Sequence, residues 1–280
     1  MRSLYSHTSG HIGVYGELSG RFKTTSGVRQ GCPMSPVLFN FVMDEIMESA
    51  LQNIQDVGVQ LGNSEKLCDL DYADDVVCLF ESTEHVQRAL DNLARAVALF
   101  GMRFAPSKCK VMLQDWTSTI PSLMLDGEVP SVVDHFTYLG SSVTTDGSTV
   151  VEVSTRISKA RVAYAGLKHL WRRSDISLKL KGRVYCAAVR SVLLYGCETW
   201  SLRAEDIRRL EVFGHRYLRS IAKIGWNSRA SNDEVRNRVL GTNSENVLSQ
   251  RSQLSRLRWL GHVLRMLNTS TVPCPILRPS

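Results

Sequence analysis

Up to about residue 150 the apolar positions switch between short runs and a 3–4-residue periodicity; beyond it only the helical spacing remains. His11–Glu17 and Arg21–Thr25 read as two short strands, with Leu18-Ser19-Gly20 as the turn between them. Ser35-Pro36 predicts a helix start, a hydroxyl N-cap followed by a proline whose missing N–H costs nothing in the first turn. That helix runs to about Leu51, with Phe39, Met43, Ile46 and Ala50 along one stripe. Leu67–Asp71 and Val76–Phe80 form the next strand pair, two buried strands around Tyr72-Ala73-Asp74-Asp75. Ser82 caps a second helix carrying Val86, Leu90, Leu93, Val97 and Phe100 on one face, and Gly101 ends it in the left-handed region. Further strand-like pieces lie at Arg103–Phe104, Val111–Leu113 and His135–Leu139, and Asp126-Gly127 and Asp146-Gly147 mark tight turns.

Past residue 150, Val153, Ile157, Ala160, Tyr164, Leu167 and Trp171 make one helical stripe, and Ile207, Leu210, Phe213, Tyr217, Ile221 and Ile224 make another. The tail from Pro273 is proline-rich and reads as irregular. Strands and helices alternate without the long crossovers of a parallel sheet, so the expected class is α+β. The expected division is a mixed region over 1–148, a helical region over 149–225, and a helical extension with an irregular tail over 226–280.

Composition narrows the possibilities. No apolar run reaches the roughly 18 residues that span a bilayer, and the first ten residues lack the apolar core of a secretion signal. The expectation is an intracellular protein, nuclear or cytoplasmic, with no membrane partner. The seven cysteines are scattered without a C-x-x-C pair, which argues for reduced thiols over a zinc site or a disulfide framework. None of the seven histidines sits in a ligand-spaced cluster. Charge is divided along the chain. Residues 1–150 hold 10 Lys and Arg against 18 Asp and Glu, a net of −8, whereas residues 151–280 hold 24 against 9, a net of +15. An acidic front suits metal-holding chemistry, and a basic back suits a polyanion; solvated helix faces would give the same counts.

The chemistry concentrates at Asp74 and Asp75. Adjacent carboxylates on an extended chain point in alternate directions, so a hairpin tip can aim one into a sheet face and one along its edge. Hard divalent cations take such oxygens together with substrate phosphates, and two ions about 3.5–4 Å apart can clamp an in-line phosphoryl displacement. An isolated Asp-Asp is as well explained by turn propensity; the apolar runs on both sides are what favour the chemical reading.

Leu70 through Val77 resembles the Tyr-x-Asp-Asp hairpin, motif C of reverse transcriptases, in the alanine form common in non-LTR elements and group II introns. Ser26 through Asn40 resembles motif B, Phe100 through Lys110 resembles motif D, and Phe136-Thr137-Tyr138-Leu139-Gly140-Ser141 resembles motif E, the primer grip. Leu193 through Trp200 and Arg258-Trp259-Leu260-Gly261-His262 look like segments that recur after the polymerase core of non-LTR elements. The resemblance covers about residues 4–266 and implies a partial right-hand palm, with an antiparallel sheet and helices, followed by an all-helical thumb and C-terminal region.

The same resemblance assigns roles. Asp74 would be the principal ligand and Asp75 a helper for Mg²⁺ or Mn²⁺, two ions in an intact enzyme. Gln30, Gly31, Ser35, Tyr72 and Ala73 would line the nucleotide site, with the helix opened at Ser35 offering its positive end to a phosphate. Lys108 would meet the pyrophosphate leaving group; an ordinary surface lysine beside Lys110 is the other reading. Tyr138, Leu139 and Gly140 would brace the primer end, unless they are plain core. Arg29, Arg156, Lys159, Arg161, Lys168, Arg172 and Arg173 would grip the nucleic-acid backbone. Trp171, Trp200, Trp226 and Trp259 could stack on bases, although their spacing points to core packing. The implied partners are an RNA template, a DNA primer and dNTPs; nothing in the sequence fixes an oligomeric state.

The chain departs from the family pattern at its start. Motif A, which carries a further catalytic aspartate, precedes motif B in the family, yet the 25 residues before Ser26 contain no aspartate and only Glu17 as a carboxylate. The expectation is a polymerase truncated at its N-terminus that binds Mg²⁺ weakly and does not polymerise alone. No endonuclease domain is recognisable, nor a zinc module or splicing domain that would suggest an intron maturase. A non-catalytic nucleic-acid-binding remnant that keeps the basic helices is the competing reading.

Overall fold

A computed structural model describes residues 9–268 apart from 25–26, 53, 55–57, 62–64, 118, 226 and 243–246. The chain is α+β and divides into two compact units, one of Met1–Pro106 with Pro121–Val129 and one of Ser107–Ile120 with Pro130–Ser280. The hairpin that holds Tyr138 therefore belongs with the helices that follow it. Trp226 and the proline-rich tail lie outside the described residues.

The first unit begins with nested hairpins. Strand β1 (Ser9–Gly10) pairs with β4 (Phe22–Lys23), and β2 (Gly13–Val14) pairs with β3 (Glu17–Leu18). The expected turn at Leu18-Ser19-Gly20 is therefore displaced: the chain reverses at Tyr15-Gly16, whose φ values of 51° and 88° fit the mirror-image turns that match strand twist. Helix α1 (Ser35–Leu51) keeps its expected bounds, but Ser35 does not cap it. Met34 occupies the N-cap position, and the Ser35 hydroxyl donates back to the Arg29 carbonyl at 2.6 Å, tying the preceding loop to the first turn.

Strands β5 (Val59–Leu61) and β6 (Glu65–Leu67) pair, and β7 (Asp69–Tyr72) pairs antiparallel with β8 (Asp75–Cys78). Helix α2 (Thr83–Leu99) follows Ser82, whose backbone is extended as an N-cap requires, although its side chain makes no capping bond. At the far end Gly101, with φ of 69°, donates to Ala98 and Met102 donates to Val97, the paired bonds of a Schellman ending. Ile46 from α1 and Ala96 and Val97 from α2 form this unit's small core, flanked by Val42, Met43, Leu93, Met102 and Phe104. Asn92 closes the helix pair by donating to the Ala50 carbonyl at 3.0 Å.

In the second unit β9 (Lys110–Val111) pairs with β10 (Ser131–Val132), in parallel, and β11 (His135–Tyr138) pairs antiparallel with β12 (Ser141–Thr144). Arg103–Phe104, expected as a strand, is irregular, because Phe104 is drawn onto the α1–α2 core. From residue 150 the described chain is helical: α3 (Val150–Gly166), α4 (Lys168–Arg172), α5 (Leu178–Val184), a π-helical turn (Tyr185–Arg190), α6 (Ser191–Leu193), α7 (Ala204–Ile221), α8 (Asn232–Leu240) and α9 (Leu248–Asn268). The 153–171 stripe is split, since the helix breaks at Gly166-Leu167 and Trp171 returns on α4. Both stripes nevertheless face one core, containing Val153, Ile157, Trp171, Tyr185, Val189, Leu210, Phe213 and Ile221. Each such side chain contributes about 1.5–3 kcal/mol by leaving water. Trp171 stacks on Tyr164 at 5.2 Å and donates to its carbonyl at 2.8 Å; it and Trp200 are thus core residues.

Candidate functional site

Register places the aspartates. Tyr72 stands opposite Asp75, so Ala73-Asp74 is a two-residue turn at the tip of the β7–β8 hairpin. Asp69, Asp71, Val76 and Cys78 share one face, and Leu70, Tyr72, Asp75 and Val77 the other. Asp74 and Asp75 are exposed, and Tyr72 beside them is 64% exposed. The strands behind them are half-buried, not fully buried as their apolar content suggested, because each is paired on one edge only among the described residues. Ala73 has φ of 56°, a conformation normally left to glycine, so the tip is held at some steric cost. Burial pushes the Cys78 thiol up to about 12, with Asp69, Asp71 and Cys68 adding to it, so Cys78 remains a neutral thiol. Among the described residues no cluster of three His, Cys, Asp or Glu is assembled for a metal. Mg²⁺ usually takes one or two carboxylates from a protein and completes its shell with waters and substrate phosphates, so the donor chemistry of Asp74 and Asp75 fits.

Gln30 and Gly31 lie exposed in the loop that Ser35 ties down. Gly31 is required there by its φ of 83°; open space surrounds it, so close packing within the chain is not the reason. Lys108 ends the short 3₁₀ turn Pro106–Lys108 and is exposed.

The Leu139-Gly140 turn is braced by several side chains of the second unit. Both residues have positive φ, 47° and 82°, the mirror-image turn of a two-residue hairpin, with leucine where such turns favour Asn or Gly. The Tyr195 hydroxyl donates to the Leu139 carbonyl at 3.0 Å. Arg156 donates to the Gly140 carbonyl at 2.5 Å and to the Ser141 hydroxyl at 3.3 Å, and Lys159 reaches the Gly140 carbonyl at 3.5 Å. The guanidinium lies over the Tyr195 ring at 4.4 Å and is paired with Glu152 at 2.5 Å, while Glu152 also accepts from the Ser142 N–H at 2.7 Å. Gly196 completes the fit, since a Cβ there would come within 2.9 Å of the Ser141 hydroxyl. Arg156, expected on the nucleic-acid surface, is thus corrected to a buried brace: it is 4% exposed and its bonds are spent on Glu152 and the turn.

Lys159, Arg161, Lys168, Arg172 and Arg173 are exposed on α3 and α4 or just beyond, with Arg173 engaged by Asp175. Arg29 is exposed in the first unit. Two residues escaped the sequence reading. Tyr195 carried a signal, its place in the segment Leu193 through Trp200 marked by its resemblance; Glu152 carried another, an acid four residues before an arginine on an apolar stripe. The segments Leu193 through Trp200 and Arg258 through His262 also meet: Glu198 and Thr199 share a cleft with Arg258, Trp259 and His262 of α9.

The family model for reverse transcriptase (RNA-dependent DNA polymerase) matches residues 1–143. The Pol polyprotein of the type-1 retrotransposable element R2 of Nasonia vitripennis is 29% identical over 165 residues, 55% of this chain and 16% of that protein. The corresponding R2 polyprotein of Popillia japonica is 29% identical over 146 residues, 49% of this chain and 24% of its own length. A putative uncharacterized transposon-derived protein of Caenorhabditis elegans is 24% identical over 214 residues, 72% of this chain and 74% of that protein. The chain thus spans less than a quarter of the R2 polyproteins it matches. With the Tyr72–Asp75 tip and the braced 139–140 turn in family order, this match shows that the chain belongs to the reverse transcriptase (RNA-dependent DNA polymerase) family, on its non-LTR retrotransposon branch.

Proposed function

We propose that this chain supplies the catalytic-aspartate hairpin, the primer-bracing turn and the duplex-holding helices of an RNA-directed DNA polymerase. The observation that carries the reading is the exposed Asp74 in the two-residue turn with the exposed Asp75 directly after it, both offered to solvent with no ion pair among the described residues. The family works with divalent metal ions, and Asp74 and Asp75 would hold Mg²⁺ or Mn²⁺; the bound ion supplies charge neutralisation at the reacting phosphate. The remaining roles fall to the chain itself. Gln30 and Gly31 present backbone toward the nascent pair, and the exposed Lys108 is available to the leaving group. Leu139 and Gly140, fixed from behind by Arg156 and Tyr195, form a stiff shelf for the primer end. Lys159, Arg161, Lys168 and Arg172 hold an RNA–DNA hybrid through its backbone and shape, without reading sequence.

The test is primer extension on an RNA template with the chain as it is expressed. Asp74→Asn should lower incorporation by about 10²–10³-fold while hybrid affinity stays within twofold. A second reading, a non-catalytic nucleic-acid-binding protein, draws on the exposed cations of α3 and α4. Salt-dependent hybrid binding with no incorporation in the unsubstituted protein would establish it in place of the first.

A further inference from the structure

The helical unit contains a cavity of about 240 Å³ between the π-helical turn, α7, α8 and the start of α9. Its size is several times a water molecule's share of liquid volume, roughly 30 Å³. Tyr185 and Arg190 stand at the two ends of the π-helical turn, and the five-residue register of that turn sets both on the cavity wall. Tyr185 is 1% exposed, yet its hydroxyl has no hydrogen-bond partner among the described residues; the buried Nη1 of Arg190 has none either. Gly214 leaves room beside them, since a Cβ there would lie 2.8 Å from the Leu248 side chain and 3.9 Å from the Tyr185 hydroxyl.

Both orphaned groups are donors. Burial pushes the Tyr185 phenol well above its ordinary range, so it keeps its proton, and a guanidinium has no acceptor atom. The acids on the same wall are already engaged: Glu211 accepts from the Ser249 hydroxyl at 3.1 Å, and Asp233 pairs with Arg236 at 2.6 Å. No ion pair to Arg190 exists among the described residues. A buried guanidinium N–H without an acceptor, beside a buried hydroxyl without one, is costly. An oxyanion can accept from both groups at once, with a charge-assisted bond to the guanidinium that water does not offer.

We propose that this cavity is a binding site for a small phosphate-class oxyanion, held by the Arg190 guanidinium and the Tyr185 hydroxyl. The inference does not depend on polymerase activity. The test is thermal unfolding of the whole chain in chloride buffer, with inorganic phosphate or AMP added at matched ionic strength. Affinity of about 1 mM predicts a rise of roughly 4 °C at 10 mM phosphate. Tyr185→Phe, which removes one oxygen, and Arg190→Gln should each cut that rise by at least half, with unchanged circular dichroism in chloride. If Arg190→Gln does not fold, Tyr185→Phe decides. A variant-sensitive rise with phosphate supports a free ion as the source, and one with AMP alone supports a phosphate carried on a nucleotide. No rise with either, or a rise that Tyr185→Phe leaves intact, overturns the proposal and marks an adventitious ion only.

Discussion

Replacing Arg156 with methionine keeps the aliphatic length of the side chain and deletes the charge that holds the 139–140 turn. Glu152, 3% exposed, would then keep only the Ser142 N–H at 2.7 Å as a described donor. The Gly140 carbonyl would fall back on Lys159 at 3.5 Å. Breaking a buried ion pair from one side costs about 3–5 kcal/mol, because the remaining charge stays desolvated. In a unit of this size that is a fall in Tm of roughly 10 °C. The paired change Glu152→Gln with Arg156→Met removes both charges and should recover at least about 1.5 kcal/mol relative to the sum of the single losses. Urea unfolding of the four proteins, followed by circular dichroism, measures the cycle. A loss below about 1 kcal/mol for Arg156→Met, or a double variant that equals the sum of the singles, would refute the bracing argument.

Two further outcomes follow from packing and protonation. Gly182 on α5 has the Val239 carbonyl where a Cβ would sit, at 2.1 Å, and the contacting atom is backbone, so α5 and α8 must separate; Gly182→Ala should destabilise the chain by about 3 kcal/mol or more, read as a fall in the urea midpoint. Burial holds the His215 pKa below its usual 6.5; Arg236 and Arg219 lower it further, and Glu211 and Asp233 oppose them. The unfolded chain therefore binds the proton more readily, so stability should decline as pH falls from 6.5 toward the depressed folded value and then level off. His215→Asn should flatten that segment of a Tm-against-pH curve, and an unchanged slope would remove His215 as its source.

Local signals were legible where neighbours in sequence decide the structure. The bounds of α1 and the Gly101 ending of α2 follow from periodicity and glycine chemistry alone. Motif order was enough to find the Asp74 tip. What the sequence hid was long-range. Ser35 looks like a cap, but the Arg29 carbonyl six residues back claims its hydroxyl. Arg156 looks like one more surface cation on a basic helix; only the return of β11–β12 and Tyr195 shows that its charge is spent internally. Lys181 is similar, 2% exposed, with its ammonium capping the Trp171 and Arg173 carbonyls. Charge counts treat buried and exposed Lys and Arg alike, so they overestimate the cations left for a polyanion.

Asp74 and Asp75 are proposed to hold a divalent ion at the hairpin tip. Paramagnetic broadening by Mn²⁺ tests it directly, because even millimolar binding marks the amides nearest the ion. The account predicts that residues 72–76 broaden first during the titration and that Asp74→Asn with Asp75→Asn abolishes the effect there, while the circular dichroism of the chain is unchanged. Broadening spread evenly over the acidic residues of the chain, or persisting at the tip in the double variant, would contradict it.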